Sequence, residues 1–268
     1  MPFLPNEEMP VRSHSASTTH ASSDLAGLIR HASAKKFKIG SPRSLTMAKS
    51  LKIRSWFIVD PSAKAATVHS AGADVVVLDL TDVPESRNAV GDFCRAWADL
   101  APAAELAFLL PALSSARTEA AIDLAIRYGA ASVVLPGARS GAEVQRLDMA
   151  LRVAEIRAGL APGKTQIVAL ADAAGILAAS SFARCSNRLA ALGWEGGYDP
   201  SSDTARLAAG TIALTAAAAG IAAVDAASPA GDAAILLSDC ERARANGFSG
   251  KLCRNSDQVP IVNRIFSV

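Results

Sequence analysis

From residue 53 onward, short apolar runs alternate with longer stretches of helical period. IRSWFIV (53–59), VVVLDL (75–80), ELAFLL (105–110), SVVLP (132–136), TQIVALA (165–171), RLAAL (188–192), IAAVDA (221–226) and GKLCR (250–254) each read as a strand. The segments 62–71, 86–99, 114–128, 140–157, 173–183, 203–219, 231–246 and 257–266 read as the helices that follow them. The strands are near-continuous apolar runs, the pattern of a parallel sheet covered on both faces. Eight strand-then-helix units in about 215 residues, with no hairpin signal between them, predict a (β/α)8 TIM barrel. A doubly wound dinucleotide-binding sheet fits less well, because VDPSAK follows the first strand where a glycine fingerprint would stand.

Residues 1–23 are rich in Ser, Thr, His and Pro and have no hydrophobic period. They read as a disordered or loosely attached arm, followed by a short helix at 24–36 capped by Ser23 or Asp24. The expected organisation is an N-terminal arm over 1–50 and a barrel over 51–268. His14, His20 and His31 fall in or near the arm with no familiar ligand spacing, and they read as solvated tail rather than a metal site.

Composition narrows the function. Half of the 268 residues are hydrophobic, aromatics are few and alanine is abundant, so the core is built from small side chains. The net charge is +2 with no basic block, which argues against a nucleic-acid partner. No uncharged apolar segment reaches the length of a membrane span; the most hydrophobic stretch, 205–227, contains Arg206, Gly220 and Asp225 and reads as helix, turn, strand. The opening MPFLPNEEMP is acidic and proline-broken, unlike a secretory signal. Cys94, Cys185, Cys240 and Cys253 are far apart, as expected of reduced, buried thiols. Together these features predict a soluble, cytoplasmic protein.

In a (β/α)8 barrel the chemistry sits at the C-terminal ends of the strands. Asp60, Asp79, Asp82, Asp172, Glu195 and Asp225 all fall at or just beyond predicted strand ends. Any one of these acids reads more simply as a cap for the next helix. Several on one rim are oxygen ligands suited to Mg²⁺ or Mn²⁺, and such an ion would polarise a carbonyl and stabilise an enolate.

The segments RSWFIVDP, AGADVVVLDLTDVP, SVVLPGARS and GFSGKLCRNSDQVPIVNRIFS resemble the citrate lyase β-subunit-like (CitE-like) branch of the HpcH/HpaI aldolase superfamily. The resemblance spans roughly residues 53–268. It implies a TIM barrel, often trimeric, that uses Mg²⁺ to make or break a carbon–carbon bond in an acyl-CoA thioester or a related oxo acid. On that pattern Asp79 and Asp82 match the acids of the strand 2 motif and are the candidate catalytic residues. Arg54, in the RS motif, and Gly193 are the candidate substrate-binding residues, and Asp172 and Glu195 the candidate metal ligands.

The departures fall at functional positions. Thr81 stands where the family motif has glutamate, Leu109 or Leu110 where it has arginine, and Gly137 where it has lysine. Ala171 or Asp172 aligns with a metal-binding glutamate, Gly196 replaces an aspartate, and Asn255-Ser256 replaces a His-Pro pair. Losing anionic ligands removes the charge that offsets dehydration of Mg²⁺, and losing the arginine removes a fork matched to a carboxylate.

Two readings therefore stay open: a divergent metal-dependent lyase or aldolase, and a catalytically degenerate barrel kept for metabolite binding or assembly. The first predicts that the carboxyl groups of Asp82, Asp172 and Glu195 approach closely enough to share one ion. Schiff-base chemistry is not supported, because no lysine ends a middle strand, and Lys251 and Arg254 read as surface charge. The apolar helix around 205–223 is expected to be covered by another subunit, in a trimer by resemblance.

Overall fold

The computed structural model describes residues 53–82, 87–229 and 231–267, all within one compact unit, Met47–Val268. The arm and the helix expected at 24–36 lie outside the described residues.

Eight parallel strands close on one another in sequence order: β1 (Ser55–Val59), β2 (Val75–Asp79), β3 (Glu105–Leu109), β4 (Ser132–Ala138), β5 (Gln166–Ala171), β6 (Leu189–Trp194), β7 (Ala222–Asp225) and β8 (Gly250–Cys253). β8 pairs with β1 through Trp56↔Leu252, so the sheet has no free edge. The helices are α1 (Ala65–Ser70), α2 (Arg87–Asp99), α3 (Thr118–Arg127), α4 (Gly141–Arg157), α5 (Ala173–Leu177), α6 (Asp203–Ala219), α7 (Ala233–Ala245) and α8 (Gln258–Phe266). The predicted barrel is the observed one. The largest local difference is at 173–183, where α5 stops at Leu177 and a 3₁₀ turn, Ala179–Phe182, completes the crossover.

Alternation along each strand makes two cores. Trp56, Ile58, Val75, Val77, Leu109, Val134, Val168, Leu170, Val224 and Leu252 fill the bore. Their neighbours, such as Phe57, Val76, Phe108, Leu135, Leu192 and Cys253, pack outward under the helices. Gly193 belongs to the bore by parity: a Cβ there would lie 2.6 Å from the Val224 carbonyl oxygen and 2.8 Å from Leu170 Cδ2. Alanine on the helices, including Ala205, Ala208, Ala209 and Ala216 of α6, lets them sit close to the wall.

Polar side chains hold the crossovers. Ser202 accepts from Ala205 N at the start of α6 and Asp232 accepts from Ala234 N at the start of α7. Gly220 ends α6 with φ of 70°, a left-handed cap. His69, the histidine outside the arm, packs edge-on against Trp97 with ring centroids 5.9 Å apart.

Candidate functional site

The C-terminal ends of the strands form a rim on which the candidate acids are spread rather than gathered. At the end of β2, Asp79 folds back on its own turn: Oδ1 accepts from Thr81 N at 2.9 Å and Thr81 Oγ1 at 2.7 Å. The threonine in LDLTD thus completes a local turn. Asp82 is 87% exposed, its carboxylate 3.6 Å from the Arg117 guanidinium, which also donates to the Thr81 carbonyl.

Asp172, just past β5, caps α5 by accepting from Gly175 N at 2.8 Å and receives Arg139 Nε at 3.2 Å on its other oxygen. Gly175 is needed there, because a Cβ would lie 2.0 Å from the Ala138 carbonyl oxygen. Ala171, the other residue aligned with the expected glutamate, packs outward under the helices. Glu195, just past β6, reaches the end of β4, where its Oε1 accepts from Gly137 N at 2.6 Å. Gly137 has φ of 60°, in the left-handed region that suits glycine.

The remaining candidates lie apart from these acids. Arg54 precedes β1 and lies at the N-terminal face, away from the rim. Its Nε and Nη2 grip Asp74 at 2.8 and 2.6 Å, and Nη1 donates to Ser267 Oγ at the end of α8. Burial would raise the Asp74 pKa, but these Arg54 bonds hold it below the usual carboxylate range. Arg54 thus ties the start of β1 to Asp74 and to the end of α8. Gly193 is buried in the bore wall. The six strand-end acids do not converge: Asp60 accepts from Ser62 N in its own turn, and Asp225 faces outward, toward the helices.

The Asp225 environment was not foreseen. Lys251, expected at the surface, is 3% exposed and donates from Nζ to Asp225 Oδ2 at 2.5 Å. Asp225 Oδ1 accepts from Trp194 Nε1 at 2.8 Å. Asp225 and Lys251 face each other because β7 and β8 pair in that register. The one sequence signal was parity: the neighbours Val224 and Leu252 are bore residues, which sends Asp225 and Lys251 outward.

The donor chemistry argues against an ion shared by Asp82, Asp172 and Glu195. β2 and β6 are four strands apart in a ring of eight, so Asp82 and Glu195 stand on opposite sides of the mouth. Asp172 and Glu195 are on adjacent strands, but the positive side of each is already supplied, by Arg139 and by the Gly137 N–H. Among the described residues, no three His, Cys, Asp or Glu side chains come together in an arrangement suited to a metal ion. The residues present do not fit a Mg²⁺ centre built from the three expected acids.

The family model for HpcH/HpaI aldolase/citrate lyase matches residues 55–256, the span of the barrel. The chain belongs to that family. Solved structures with the same fold include the citrate lyase β subunit of Mycobacterium tuberculosis complexed with oxaloacetate and magnesium. That structure is 25% identical, with a TM-score of 0.64, covering 80% of this chain and 96% of its own. CitE of the same organism, in complex with magnesium, acetoacetate and coenzyme A, is 24% identical with a TM-score of 0.61, covering 80% of both chains. RipC from Yersinia pestis is 24% identical, with a TM-score of 0.62, covering 80% of this chain and 94% of its own. No curated protein matches the sequence. The barrel is the element that this chain shares with these structures.

Proposed function

We propose that this chain is an HpcH/HpaI-family barrel that has given up the metal-stabilised enolate chemistry of the citrate lyase β-like branch and serves as a metabolite-binding or assembly protein. The carrying observation is the Arg139–Asp172 pair: a guanidinium 3.2 Å from the carboxylate supplies the positive charge an ion would otherwise bring. Gly137 adds to this, because it leaves a bare N–H for Glu195 where the family pattern places a lysine. The leucines at the end of β3 offer no fork for a substrate carboxylate.

A second reading rests on Asp172 and Glu195 holding neighbouring positions at the mouth. In it, the two acids bind one Mg²⁺ or Mn²⁺ with water and substrate oxygens, as the ion commonly requires. The substrate would be a small acyl-CoA thioester or oxo acid, the class named by the neighbours' complexes with oxaloacetate and with acetoacetate and coenzyme A. Such an ion would stabilise an enolate, and Arg139 would have to leave Asp172 first.

Calorimetric titration with Mg²⁺ and Mn²⁺, with and without acetyl-CoA, on wild type and Asp172→Ala separates the two. The first reading predicts no saturable metal binding in any of the eight titrations. Micromolar binding that Asp172→Ala abolishes, accompanied by cleavage of citryl- or malyl-CoA, would establish the second. Self-association, a trimer by the family resemblance, belongs to the proposal. Leu207 and Leu214, 72% and 74% exposed on α6, are on the face that would be covered. Light scattering showing a monomer at micromolar concentration would remove it.

A further inference from the structure

A cavity of about 380 Å³ lies outside the wall of β6, β7 and β8, between that wall and the helices α6 and α7. Its floor is the Trp194–Asp225–Lys251 cluster, whereas the outward positions Phe57, Val59, Val76, Leu78 and Phe108 on β1, β2 and β3 are apolar and Ser55, paired in register with Lys251, carries only a hydroxyl. Burying an ammonium and a carboxylate in this layer is costly, and an apolar pair of similar volume would fill it more simply. Asp225 is satisfied, with one donor on each oxygen. Lys251 is not: among the described residues its ammonium has one acceptor, Asp225 Oδ2, for three N–H donors. The remaining donors belong to a side chain that lines the cavity.

The cavity's other surfaces restrict what those donors would meet. Ala205, Ala209 and Ala243 give smooth apolar sides. The indole of Trp194 runs nearly parallel to the Tyr198 ring, at 12° with centroids 6.3 Å apart. The charged lining residues balance, three acids (Asp199, Asp225, Asp239) against three bases (Arg206, Arg242, Lys251). Arg242 and Asp239 are already paired with one another, and Arg206 with Asp203 outside the cavity. A charged guest would leave one sign in excess inside a partly desolvated space, whereas a neutral acceptor would satisfy Lys251 and disturb no pair.

We propose that this cavity is a binding site for a small uncharged molecule with a flat apolar body and one carbonyl-type oxygen, the oxygen accepting from Lys251 and the body lying along Trp194 and the alanine walls. The site does not depend on the rim carboxylates, so it stands whether or not the chain retains lyase chemistry.

The test uses acetophenone as probe, with ethylbenzene (the same body without the acceptor) and benzoate (a charged acceptor) as comparators. The ¹⁵N-labelled full chain has three tryptophans, Trp56, Trp97 and Trp194, and so three indole N–H signals. Acetophenone is expected to shift the Trp194 signal saturably and to bind roughly tenfold more tightly than either comparator, the scale of one hydrogen bond from a charged donor. Ala209→Leu fills the cavity without touching the ion pair and is expected to abolish the shift while leaving the Trp56 and Trp97 signals in place. Lys251→Met, if it folds, is expected to erase the preference for acetophenone over ethylbenzene. Equal binding of acetophenone and ethylbenzene, preference for benzoate, binding that survives Ala209→Leu, or no response of Trp194 at millimolar acetophenone would each overturn the proposal.

Discussion

Arg188 is the side chain whose removal should cost this barrel most. It precedes β6 and is 5% exposed. Its guanidinium donates to both Glu155 oxygens at 2.9 and 2.6 Å, to Asp148 at 2.8 Å and to the Thr165 carbonyl at 3.0 Å. One group thus ties α4 to the starts of β5 and β6. Burial alone would raise the Glu155 pKa, but the Arg188 fork and the Thr165 and Gly163 N–H groups hold it at about 2. Measured from an ordinary value of 4.5, that shift corresponds to roughly 3 kcal/mol of stability at neutral pH.

Arg188→Met keeps much of the volume and leaves Glu155 buried without its cation. The expected loss at neutral pH is about 3–5 kcal/mol, the usual result of orphaning a buried charge. The pH dependence carries the sign. In wild type the folded pKa is depressed, so the Glu155 contribution is complete above its unfolded pKa and fades as pH falls from about 4.5 toward about 2. In the variant burial dominates and the pKa rises, so the penalty grows as pH increases through that raised value. The difference between the two proteins should therefore be largest near neutrality and shrink toward about pH 4. Urea unfolding followed by circular dichroism at both pH values measures it. A loss under about 1 kcal/mol at neutral pH, or one that does not change with pH, would refute the reasoning.

Three further outcomes are expected. Gly193→Ala places a Cβ 2.6 Å from a backbone oxygen and should lower stability by about 1–3 kcal/mol in the same urea assay, because the wall cannot shift cheaply. Burial pushes the thiols of Cys94 and Cys253 up to about 12 and that of Cys240 to about 11, while Cys185 is only partly buried. Ellman's reagent should accordingly titrate Cys185 ahead of the other three in the native protein, and all four in urea. Arg139→Ala removes the cation beside Asp172 and should raise Mg²⁺ affinity at the rim, read by calorimetry; unchanged affinity would show that Arg139 is not what keeps the ion away.

The fold was legible because hydrophobic period is a local property. A strand buried on both faces must be apolar throughout and a covering helix must be apolar on one side, so eight alternations announced the barrel and most boundaries within a few residues. The identity of the rim residues was also readable, since strand ends follow from strand positions. What each rim residue does was not. Asp79, Asp82 and Asp172 look alike in sequence, yet one closes a turn with Thr81, one faces solvent beside Arg117, and one caps α5 while paired with Arg139.

By itself, the sequence determined the layered barrel, the absence of an apolar span and the family to which the motifs point. The tertiary structure alone decided which charges meet. Asp225 and Lys251 are 26 residues apart and touch because two strands pair in one register. Arg188 and Glu155 are 33 apart and meet because α4 packs where β6 begins. Such contacts depend on stagger and closure, which arise only when all eight strands are joined, and they place the ionic groups of this protein between wall and helices as well as at the mouth.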